Sequence, residues 1–359
     1  MSDEFFMRKA FELAELGAGF TSPNPMVGAV IVNKGRIVGI GYHKKKGEKH
    51  AEIRAIEDAS GHLDGSTLYV NLEPCTHHGA TPPCAPVIAK VGIKRVVIAN
   101  LDPNPLVNGS GVEYLRTQGI DVEVGVLAEE GEFLNRFFFK YVRTGLPYVI
   151  IKAASTLDGY IADVQGNSRW ITGEDAREYV HKLRGEVDAI MVGKGTVLKD
   201  DPELTPRYIY APKLPYRIIV SRRAFESFDY KIFKNPEKLV IVTSVSAKWD
   251  LPEDLGEKIT FIRVSEQDES LDLREALEKL GNIGIQSIMC EGGSFLLGEL
   301  IRQNLADELI VFYSPIIIGT GLNIFSGLEK NLESAVKSFG IREVLNFHKD
   351  IMVRLLKYE

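Results

Sequence analysis

The stretches HAEIRAIEDA, at residues 50–59, and EPCTHHGATPPC, at residues 73–84, decide how the first half of this chain is interpreted. Together they supply His50, Cys75 and Cys84. One imidazole and two thiolates are ligands that zinc takes in proteins, and three protein ligands leave its fourth position open to water. The two stretches therefore predict a metal centre that activates water.

Glu52, two residues after His50, is expected to have a different role from the three ligands. A carboxylate beside a metal-activated water can accept a proton from it and deliver that proton to a departing amine. The helix that we predict over residues 50–59 would also direct the positive end of its dipole toward the site. We therefore predict a hydrolytic deaminase with Glu52 as its catalytic residue. Two interpretations remain open: a structural zinc site with His77 or His78 as fourth ligand, and cysteines that bind no metal.

The spacing of the two cysteines points to one group of deaminases. Nucleobase deaminases carry H-x-E followed by P-C-x-x-C, whereas the second cysteine here follows the first by nine positions. This longer loop resembles that of the pyrimidine deaminases of riboflavin biosynthesis, as does PNPMVG at residues 23–28, which lies beside the substrate ring in that family. The resemblance implies that Asn24 binds substrate. The family usually has a basic residue where this chain has Ala80, and the lysines at 44–46 are candidates to contact a phosphate instead.

Length and composition indicate two domains. A chain of 359 residues is roughly twice the usual domain size of about 150, and we predict a linker at residues 144–147 between domains at 1–145 and 147–359. The net charge of −6 argues against a nucleic-acid partner, which usually meets a basic surface. No apolar run approaches the ~20 residues that span a membrane, and the acidic start does not resemble a signal peptide. With three cysteines, we expect a reduced, cytoplasmic protein.

Alternating helical and strand patterns predict that both domains are of the α/β class, the first with helices on a mostly parallel sheet. In the first domain we expect a helix capped by Ser2 or Asp3, followed by strands at 26–32, 37–42, 67–72 and 94–100 and helices at 50–59 and 84–91. In the second domain we expect strands at 148–151, 189–192, 217–220, 239–243, 287–290 and 308–312. The capping-box pattern TGED at 172–175 predicts a helix that reaches about residue 184.

Two glycine-containing turns of the second half are candidates for cofactor contact. No G-x-G-x-x-G follows the first strand, so the usual dinucleotide fingerprint is missing. GKGT at 193–196 and EGGS at 291–294 each follow a predicted strand. Glycines there let a ligand approach the backbone closely, and a helix start offers free N–H groups to a phosphate. Tight connections without a ligand are the other interpretation of both turns.

Several segments of the second half resemble the C-terminal reductase domain of the riboflavin-pathway enzymes, which has a dihydrofolate-reductase-like fold. The similar segments are KAASTLDG at 152–159, SRWIT at 168–172, GKGTVLKDDP at 193–202, LTPR at 204–207 and EGGS at 291–294. The resemblance implies that NADPH lies against Ala154, Trp170, Thr196, Asp200, Ser221, Gly293, Ser294, Phe295, Leu296 and Leu297. It implies that substrate lies against Ser168, Arg184, Leu204, Arg207 and Glu291.

These residue types suit the roles that the resemblance implies. Arg184 and Arg207 can grip a ribose phosphate through charge-assisted hydrogen bonds, and Glu291 can hold ribose hydroxyls. Taken alone, Arg184 would also fit the solvent-exposed face of a helix, and Arg207 would also fit an ordinary charged position in a loop. Lys152 and Asp200 are candidates to supply the proton that accompanies hydride transfer.

Together the two resemblances imply a bifunctional enzyme of riboflavin biosynthesis with a cytidine-deaminase-like three-layer domain and a reductase domain. It would deaminate a small phosphorylated diaminopyrimidine at zinc and then reduce the ribose to a ribityl chain with NADPH. Family members commonly assemble into homo-oligomers, and we expect the same here, without a membrane or nucleic-acid partner. The alternatives are a nucleotide or tRNA deaminase with a non-catalytic C-terminal module, and a zinc-stabilised scaffold without activity.

Overall fold

The computed structural model describes residues 1–61, 63–78, 82–105, 107–207, 213–267, 270–328, 331, 334–336 and 338–358. The chain forms two compact units, Met1–Gly145 and Leu146–Glu359. Ala80, where we expected the lack of a basic residue to matter, lies outside the described residues. No helix within these ranges is long and apolar enough to cross a bilayer.

The first unit is built around a five-stranded sheet of order β2-β1-β3-β4-β5. Its elements are α1 (Asp3–Glu15), β1 (Gly28–Asn33), β2 (Arg36–Tyr42), α2 (Ala51–Asp58), β3 (Thr67–Leu72), α3 (Cys84–Lys90), β4 (Arg95–Asn100), α4 (Ser110–Thr117), β5 (Asp121–Val124), α5 (Ala128–Leu134) and α6 (Arg136–Thr144). Strands β3, β4 and β5 are parallel, but β1 is antiparallel to β2 and β3. Because β1 opposes both of its neighbours, β2, β3, β4 and β5 run in one direction and only β1 is reversed, so the predicted mostly parallel sheet is confirmed. Lys34 and Gly35 both have positive φ, which is the turn geometry that joins antiparallel neighbours.

Helices cover both faces of this sheet, so the unit has three layers. On one face, strand residues such as Leu68 and Val96 pack against α2, α3 and α4. On the other face, Tyr69 and Val97 pack against α1. Successive strand residues point to opposite faces, which explains why the central strands β3 and β4 are buried at every residue after the first.

The second unit is built around a nine-stranded sheet of order β11-β10-β9-β8-β14-β6-β15-β18-β17. Its elements are β6 (Tyr148–Thr156), β7 (Tyr160–Ala162), α7 (Glu174–Glu186), β8 (Ala189–Gly193), α8 (Lys194–Asp200), β9 (Tyr216–Val220), α9 (Lys231–Lys234), β10 (Leu239–Ser244), α10 (Glu253–Gly256), β11 (Ile259–Val264), β12 (Glu266–Gln267), β13 (Ser270–Leu271), α11 (Leu273–Asn282), β14 (Ser287–Cys290), α12 (Ser294–Arg302), β15 (Glu308–Ser314), β16 (Leu322–Asn323), β17 (Phe339–Phe347) and β18 (Asp350–Lys357). Strands from β11 to β15 run parallel, whereas β18 is antiparallel to both neighbours. Parallel sheets bind ligands beyond the carboxyl ends of their strands, so a site is expected beyond β6, β8, β9 and β14.

Several predicted elements are confirmed closely. Strands β3 and β14 have the predicted bounds, and Ser2 caps α1 by accepting a hydrogen bond from the N–H of Phe5. Strand β6 continues to Thr156, past its predicted end at residue 151. The small residues that follow its apolar run are also part of the strand, whereas the prediction from the sequence pattern ended with the apolar run.

The start of α7 differs from the prediction. The capping-box pattern makes Thr172 the N-cap residue, but the observed N-cap residue is Gly173 and no side chain caps the helix locally. The N–H of Gly173 instead donates to Asp350 Oδ2 at 2.6 Å. A buried carboxylate from the start of β18 thus replaces the local cap.

A buried ion pair joins the C-terminal hairpin to the interior of the second sheet. Arg354 Nε of β18 lies 3.0 Å from Glu308 Oε1 of β15, and both residues are buried. The same guanidinium donates to the Glu343 carboxylate at 2.9 Å and to the Tyr179 hydroxyl at 3.2 Å. Removing one partner of a buried pair leaves a charge without compensation, which is strongly destabilising.

We predict that Glu308→Gln lowers the free energy of unfolding by about 3 kcal/mol, because Arg354 loses its buried partner. The matched control is Glu343→Gln, whose carboxylate contacts the same arginine but is 37% exposed. This control substitution should lower the free energy of unfolding by less than about 1 kcal/mol. Urea unfolding followed by circular dichroism measures both values, and equal losses would contradict the role given to the buried pair.

Candidate active sites

Three metal-ligating side chains meet at the ends of different elements of the first unit. His50 is the N-cap residue of α2, Cys84 is the first residue of α3, and Cys75 follows the end of β3. His50 Nδ1 lies 3.3 Å from Cys84 Sγ and 3.6 Å from Cys75 Sγ. The three ligand atoms lie within 4.8 Å of one another, and no further His, Cys, Asp or Glu of the described residues belongs to the group. The predicted ligands are therefore together, and neither His77 nor His78 joins them.

Hydrogen bonds within this group favour a thiolate at Cys75. The Cys84 thiol and the Cys84 N–H, the latter at 3.4 Å, donate to Cys75 Sγ, and these contacts lower the pKa of Cys75 to about 4. The same contact raises the pKa of the Cys84 thiol. The hydrogen bond with Cys75 raises the pKa of His50. The imidazole and the two sulfurs therefore share protons among themselves in the absence of a metal. Such a group fits Zn²⁺, which binds neutral histidine and deprotonated cysteine.

Glu52 lies in the first turn of α2 and is only 3% exposed. Burial raises the pKa of its carboxyl group to about 7, and its charged neighbours include His50 and Cys75. Its Oε2 is buried without a hydrogen-bond partner among the described residues. A carboxyl group with an available acceptor and a pKa near neutrality is suited to taking up and releasing a proton.

Asn24, predicted to bind substrate, lies beside the metal-ligating group through a histidine that sequence reasoning missed. Asn24 Nδ2 lies 3.1 Å from His43 Nε2, and His43 Nδ1 lies 3.3 Å from the carbonyl oxygen of Lys49. The His43 ring stacks edge-on against His50 with centroids 5.5 Å apart. Burial lowers the pKa of His43, which favours its neutral form. The only sequence signal was its place directly after β2, shortly before His50.

Glu73 fastens the segment that carries Cys75, a role that the sequence did not reveal. Its carboxylate is buried and accepts hydrogen bonds of 2.7–3.2 Å from the backbone N–H groups of Asp102, Gly109, Gly111 and Val112. These donors belong to the loop before α4 and to its first turn, where a negative charge also complements the helix dipole. The EPC motif therefore ties the metal-ligating segment to α4.

We predict that Glu73→Gln accelerates zinc release by at least about tenfold. Each carboxylate oxygen accepts from two backbone N–H groups, so an amide nitrogen in its place would leave two donors without an acceptor. Each lost partner costs about 1–3 kcal/mol, so two together correspond to more than about tenfold in an equilibrium. Transfer of zinc to a chromogenic chelator measures the rate. Glu113→Gln, on the exposed side of α4, is the matched control and should release zinc at the wild-type rate. Equal rates in all three proteins would contradict the fastening role.

The second unit contains a cavity of about 1290 Å³ at the carboxyl ends of its central strands. Of the residues expected to bind cofactor or substrate, those that line it are Ala154, Ser168, Thr196, Asp200, Ser221, Glu291, Gly293, Ser294, Phe295, Leu296 and Leu297. Those that do not line it are Trp170, Arg184, Leu204 and Arg207.

A buried charge network forms part of the cavity wall. Arg184 donates from Nε and Nη2 to the two carboxylate oxygens of Glu291 at 2.6 and 2.8 Å, and Lys152 Nζ lies 3.9 Å from Glu291 Oε2. Burial would raise the pKa of Glu291, but Arg184 and Lys152 bring it to about 2. Burial lowers the pKa of Lys152, an effect that Glu291 opposes. Because Nε and Nη2 of Arg184 both donate to Glu291, Arg184 holds Glu291 in this structure and does not present these two donors to a phosphate.

The other three residues outside the cavity lining have different surroundings. Leu204 is buried, and the N–H of Arg207 donates to His181 Nδ1 at 3.1 Å while the Arg207 side chain is exposed. Trp170 is 68% exposed, and its ring centre lies 4.5 Å from the Arg177 guanidinium carbon. Trp170 therefore lies on the surface of the unit, between Ser168 and Ile171, which line the cavity, and its cofactor contact stays a prediction.

The two glycine-containing turns come together at the cavity. The N–H of Gly193 donates to the carbonyl oxygen of Gly292 at 2.9 Å. Gly292 has φ +142, and a Cβ on Gly292 or Gly293 would come within 3.4 or 3.3 Å of Thr196 Oγ1. Helix α12 begins directly after these glycines, so its free N–H groups border the cavity.

Both halves of the chain match families of known proteins. Residues 147–352 match the RibD C-terminal domain, and residues 1–100 match the cytidine and deoxycytidylate deaminase zinc-binding region. The chain is 40% identical over 358 residues to the riboflavin biosynthesis protein RibD of Aquifex aeolicus (strain VF5), covering 99% of each chain. It is 38% identical over 371 residues to the protein of the same name from Escherichia coli (strain K12), covering 99% of this chain and 100% of that one.

Two solved structures have the same architecture over nearly the whole chain. Acinetobacter baumannii RibD superposes with a TM-score of 0.89 at 34% identity, covering 99% of both chains. A Thermotoga maritima protein, described as a diaminohydroxyphosphoribosylaminopyrimidine deaminase and 5-amino-6-(5-phosphoribosylamino)uracil reductase, superposes with a TM-score of 0.88 at 40% identity, covering 99% of this chain and 98% of that one. The predicted fold class, a cytidine-deaminase-like unit followed by a reductase-like α/β unit, is confirmed.

Proposed function

This chain belongs to the RibD family of riboflavin biosynthesis proteins and is both a deaminase and a reductase, and from that membership we propose how its residues divide the two reactions. We assign deamination to residues 1–145 and reduction to residues 147–359. The observation that carries the first assignment is the group of His50, Cys75 and Cys84 beside buried Glu52. A nucleotide or tRNA deaminase with a non-catalytic second half is not favoured, because that half matches the RibD C-terminal domain.

In the deaminase unit, His50, Cys75 and Cys84 would hold a zinc ion. A zinc ion held by these residues would supply an activated water by lowering its pKa towards about 7. Glu52 accepts a proton from that water on a carboxylate oxygen and delivers it to the leaving amine. Burial raises the pKa of the Glu52 carboxyl group to about 7. Neither its protonated nor its ionised form is then strongly preferred, which suits both the uptake and the release of a proton.

We predict that Glu52→Gln slows deamination by about 10²–10⁴-fold, because the amide cannot carry the proton. Reduction of separately supplied deaminated substrate should proceed at the wild-type rate. Ammonia release and NADPH oxidation measure the two activities, and Glu57→Gln, at an exposed position of the same helix, is the matched control. Removal of zinc with a chelator should likewise abolish only the first activity. Deamination that survives complete zinc removal would contradict the mechanism.

In the reductase unit, a nicotinamide dinucleotide would occupy the cavity at the carboxyl ends of the strands. Basic side chains predominate in its walls: Lys152, Lys194, Lys199, Arg222, Arg223 and Arg302, against Asp200, Glu291 and Glu299. This positive excess favours a polyanionic ligand, and the turn before α12 offers backbone N–H groups to its pyrophosphate. We assign NADPH because the riboflavin-pathway reductases that the chain resembles use it.

Lys152 is the side chain that we assign as proton donor of the reduction. The cofactor would supply hydride to C1 of the opened ribose, and a proton would go to the atom doubly bonded to C1, which would give the ribityl chain. Lys152 lines the cavity, and burial lowers its pKa, so it releases a proton more readily than an exposed lysine. Asp200, the other candidate, accepts a hydrogen bond from Ser168 Oγ at 3.5 Å and so serves to orient that hydroxyl.

Substrate contacts are assigned separately in each unit. The substrate is a phosphorylated diaminopyrimidine of the kind named for the Thermotoga maritima relative. Asn24 would hold its ring beside the metal centre. In the reductase we place the ribose hydroxyls at Glu291, which Arg184 holds in position, and the phosphate at the exposed side chain of Arg207.

We predict that Glu291→Gln moves the alkaline loss of reductase activity to lower pH. Lys152 donates only when protonated, so activity falls as the pH rises through its pKa. Glu291 raises that pKa, and its removal lets burial lower the pKa further. A pH profile of kcat with deaminated substrate measures the shift, and Glu278→Gln, exposed on α11, is the control. An alkaline limb that stays in place would contradict the role of Lys152.

A further inference from the structure

Two buried asparagines hold the backbone of Met26 in the first unit. Asn71, on β3, is fully buried, and Asn135, between α5 and α6, is 4% exposed. Asn135 Oδ1 accepts from the N–H of Met26 at 2.8 Å, and Asn135 Nδ2 donates to the carbonyl oxygen of Met26 at 2.9 Å. Asn71 Nδ2 donates to the same carbonyl oxygen at 2.9 Å, and Asn71 Oδ1 accepts from the N–H of Gly28 at 2.8 Å. We call these hydrogen bonds the asparagine clamp.

The chemistry of the backbone fixes the orientation of both amides in the clamp. An N–H group can only donate and a carbonyl oxygen can only accept, so each amide presents its oxygen to the N–H and its nitrogen to the carbonyl. The carbonyl oxygen of Met26 accepts from both asparagines. Replacing either asparagine therefore leaves a buried backbone group with one partner fewer, which corresponds to about tenfold or more in an equilibrium.

The side chain of Asn135 serves Met26 rather than its own helix. Asn135 is the N-cap residue of α6, a position where an asparagine side chain commonly accepts from the first turn of the helix. Its side chain makes no such hydrogen bond here. It holds instead a residue that is 109 positions away in the chain. Changing this side chain therefore acts on Met26 without removing a helix cap.

Helix α5 is fixed to the sheet, which gives Asn135 a rigid support. Asn100, at the end of β4, donates from Nδ2 to the carbonyl oxygen of Ala128 at 2.9 Å. A Cβ on Gly131 would come within 2.1 Å of Asn100 Oδ1, so α5 approaches β4 as closely as a glycine allows. Asn71 extends from β3, the neighbour of β4. The two sides of the clamp are therefore supported by adjacent strands of one sheet.

The clamp lies two residues from Asn24, the side chain that we assign to the substrate ring. The carbonyl oxygen of Val27, next to Met26, accepts from the N–H of His43 at 2.8 Å. His43 Nε2 lies 3.1 Å from Asn24 Nδ2. Asn24 and His43 are thus joined both directly and through the backbone at 24–27. The place of the Asn24 side chain depends on where Met26 is held.

We propose that Asn135 is a positioning residue of the deamination, which together with Asn71 fixes Met26 and thereby holds Asn24 where it meets the substrate. The proposal rests on the assigned contact of Asn24 with the substrate. It extends the deaminase site beyond residues 1–100, which match the zinc-binding region, to the junction of α5 and α6. Asn135 acts on the reaction through Met26 and Asn24.

The test is a double-mutant cycle on the full-length protein, measured as kcat/KM for deamination. Asn135→Asp keeps the shape of the side chain and the acceptor for the Met26 N–H, but it sets a second oxygen against the Met26 carbonyl. We expect it to lower kcat/KM by about tenfold or more, with zinc content and reductase activity at wild-type values. In an Asn24→Ala protein, the same substitution should lower kcat/KM by less than about threefold, because the contact that it displaces is already missing. Gln118→Glu, an amide-to-acid change at an exposed position of the same unit, is the control.

Each outcome of the cycle separates the clamp from the assigned contact of Asn24. Equal losses of kcat/KM in the wild-type and Asn24→Ala backgrounds, or no loss in either, would overturn the positioning role of Asn135 alone. An Asn24→Ala protein with wild-type kcat/KM would overturn the contact of Asn24 and this proposal together. Asn135→Ala, which adds no charge, replaces Asn135→Asp in the cycle if the latter does not bind zinc. Loss of zinc from both variants would make Asn135 a requirement of the fold and would overturn the proposal.

Discussion

Burial of Glu52 beside two cysteines is the constraint on which the first unit depends. A polar group in a protein interior costs free energy when it lacks a partner, and Oε2 of Glu52 has none among the described residues. Surrounding contacts maintain this arrangement: α2 and α3 both pack on the sheet, and Glu73 binds backbone N–H groups of the loop before α4. The stability of the layers therefore supports a buried carboxylate oxygen that has no hydrogen-bond partner among the described residues and is well suited to moving a proton.

The second unit handles buried charge in a different way. Glu291, directly after β14, is paired with Arg184 of α7 and lies close to Lys152 of the adjacent strand β6, so its buried negative charge is compensated inside the protein. The basic side chains of Lys194, Lys199, Arg222 and Arg223 line the same cavity. One cavity thus combines a carboxylate held between two cations with walls in which basic side chains predominate.

The metal-ligating residues could be predicted because their residue types and spacing are visible along the chain, and the buried strands because their apolar runs are continuous. Contacts between distant segments could not be predicted. The cap of α7 comes from Asp350, 177 residues away from Gly173, so the local capping pattern was misleading. The engagement of Arg184 with Glu291 spans 107 residues and changes the role expected for that arginine. Glu73 acts on backbone N–H groups, which have no sequence signature.

The most direct test of the central claim is to incubate the full-length protein with the phosphorylated diaminopyrimidine and to determine product masses with and without NADPH. Without NADPH, the account predicts a single product in which oxygen has replaced an amino nitrogen. With NADPH, it predicts a second product that carries two additional hydrogens on the former ribose. Unchanged substrate without NADPH, or no gain of hydrogen when NADPH is present, would contradict the two-step assignment.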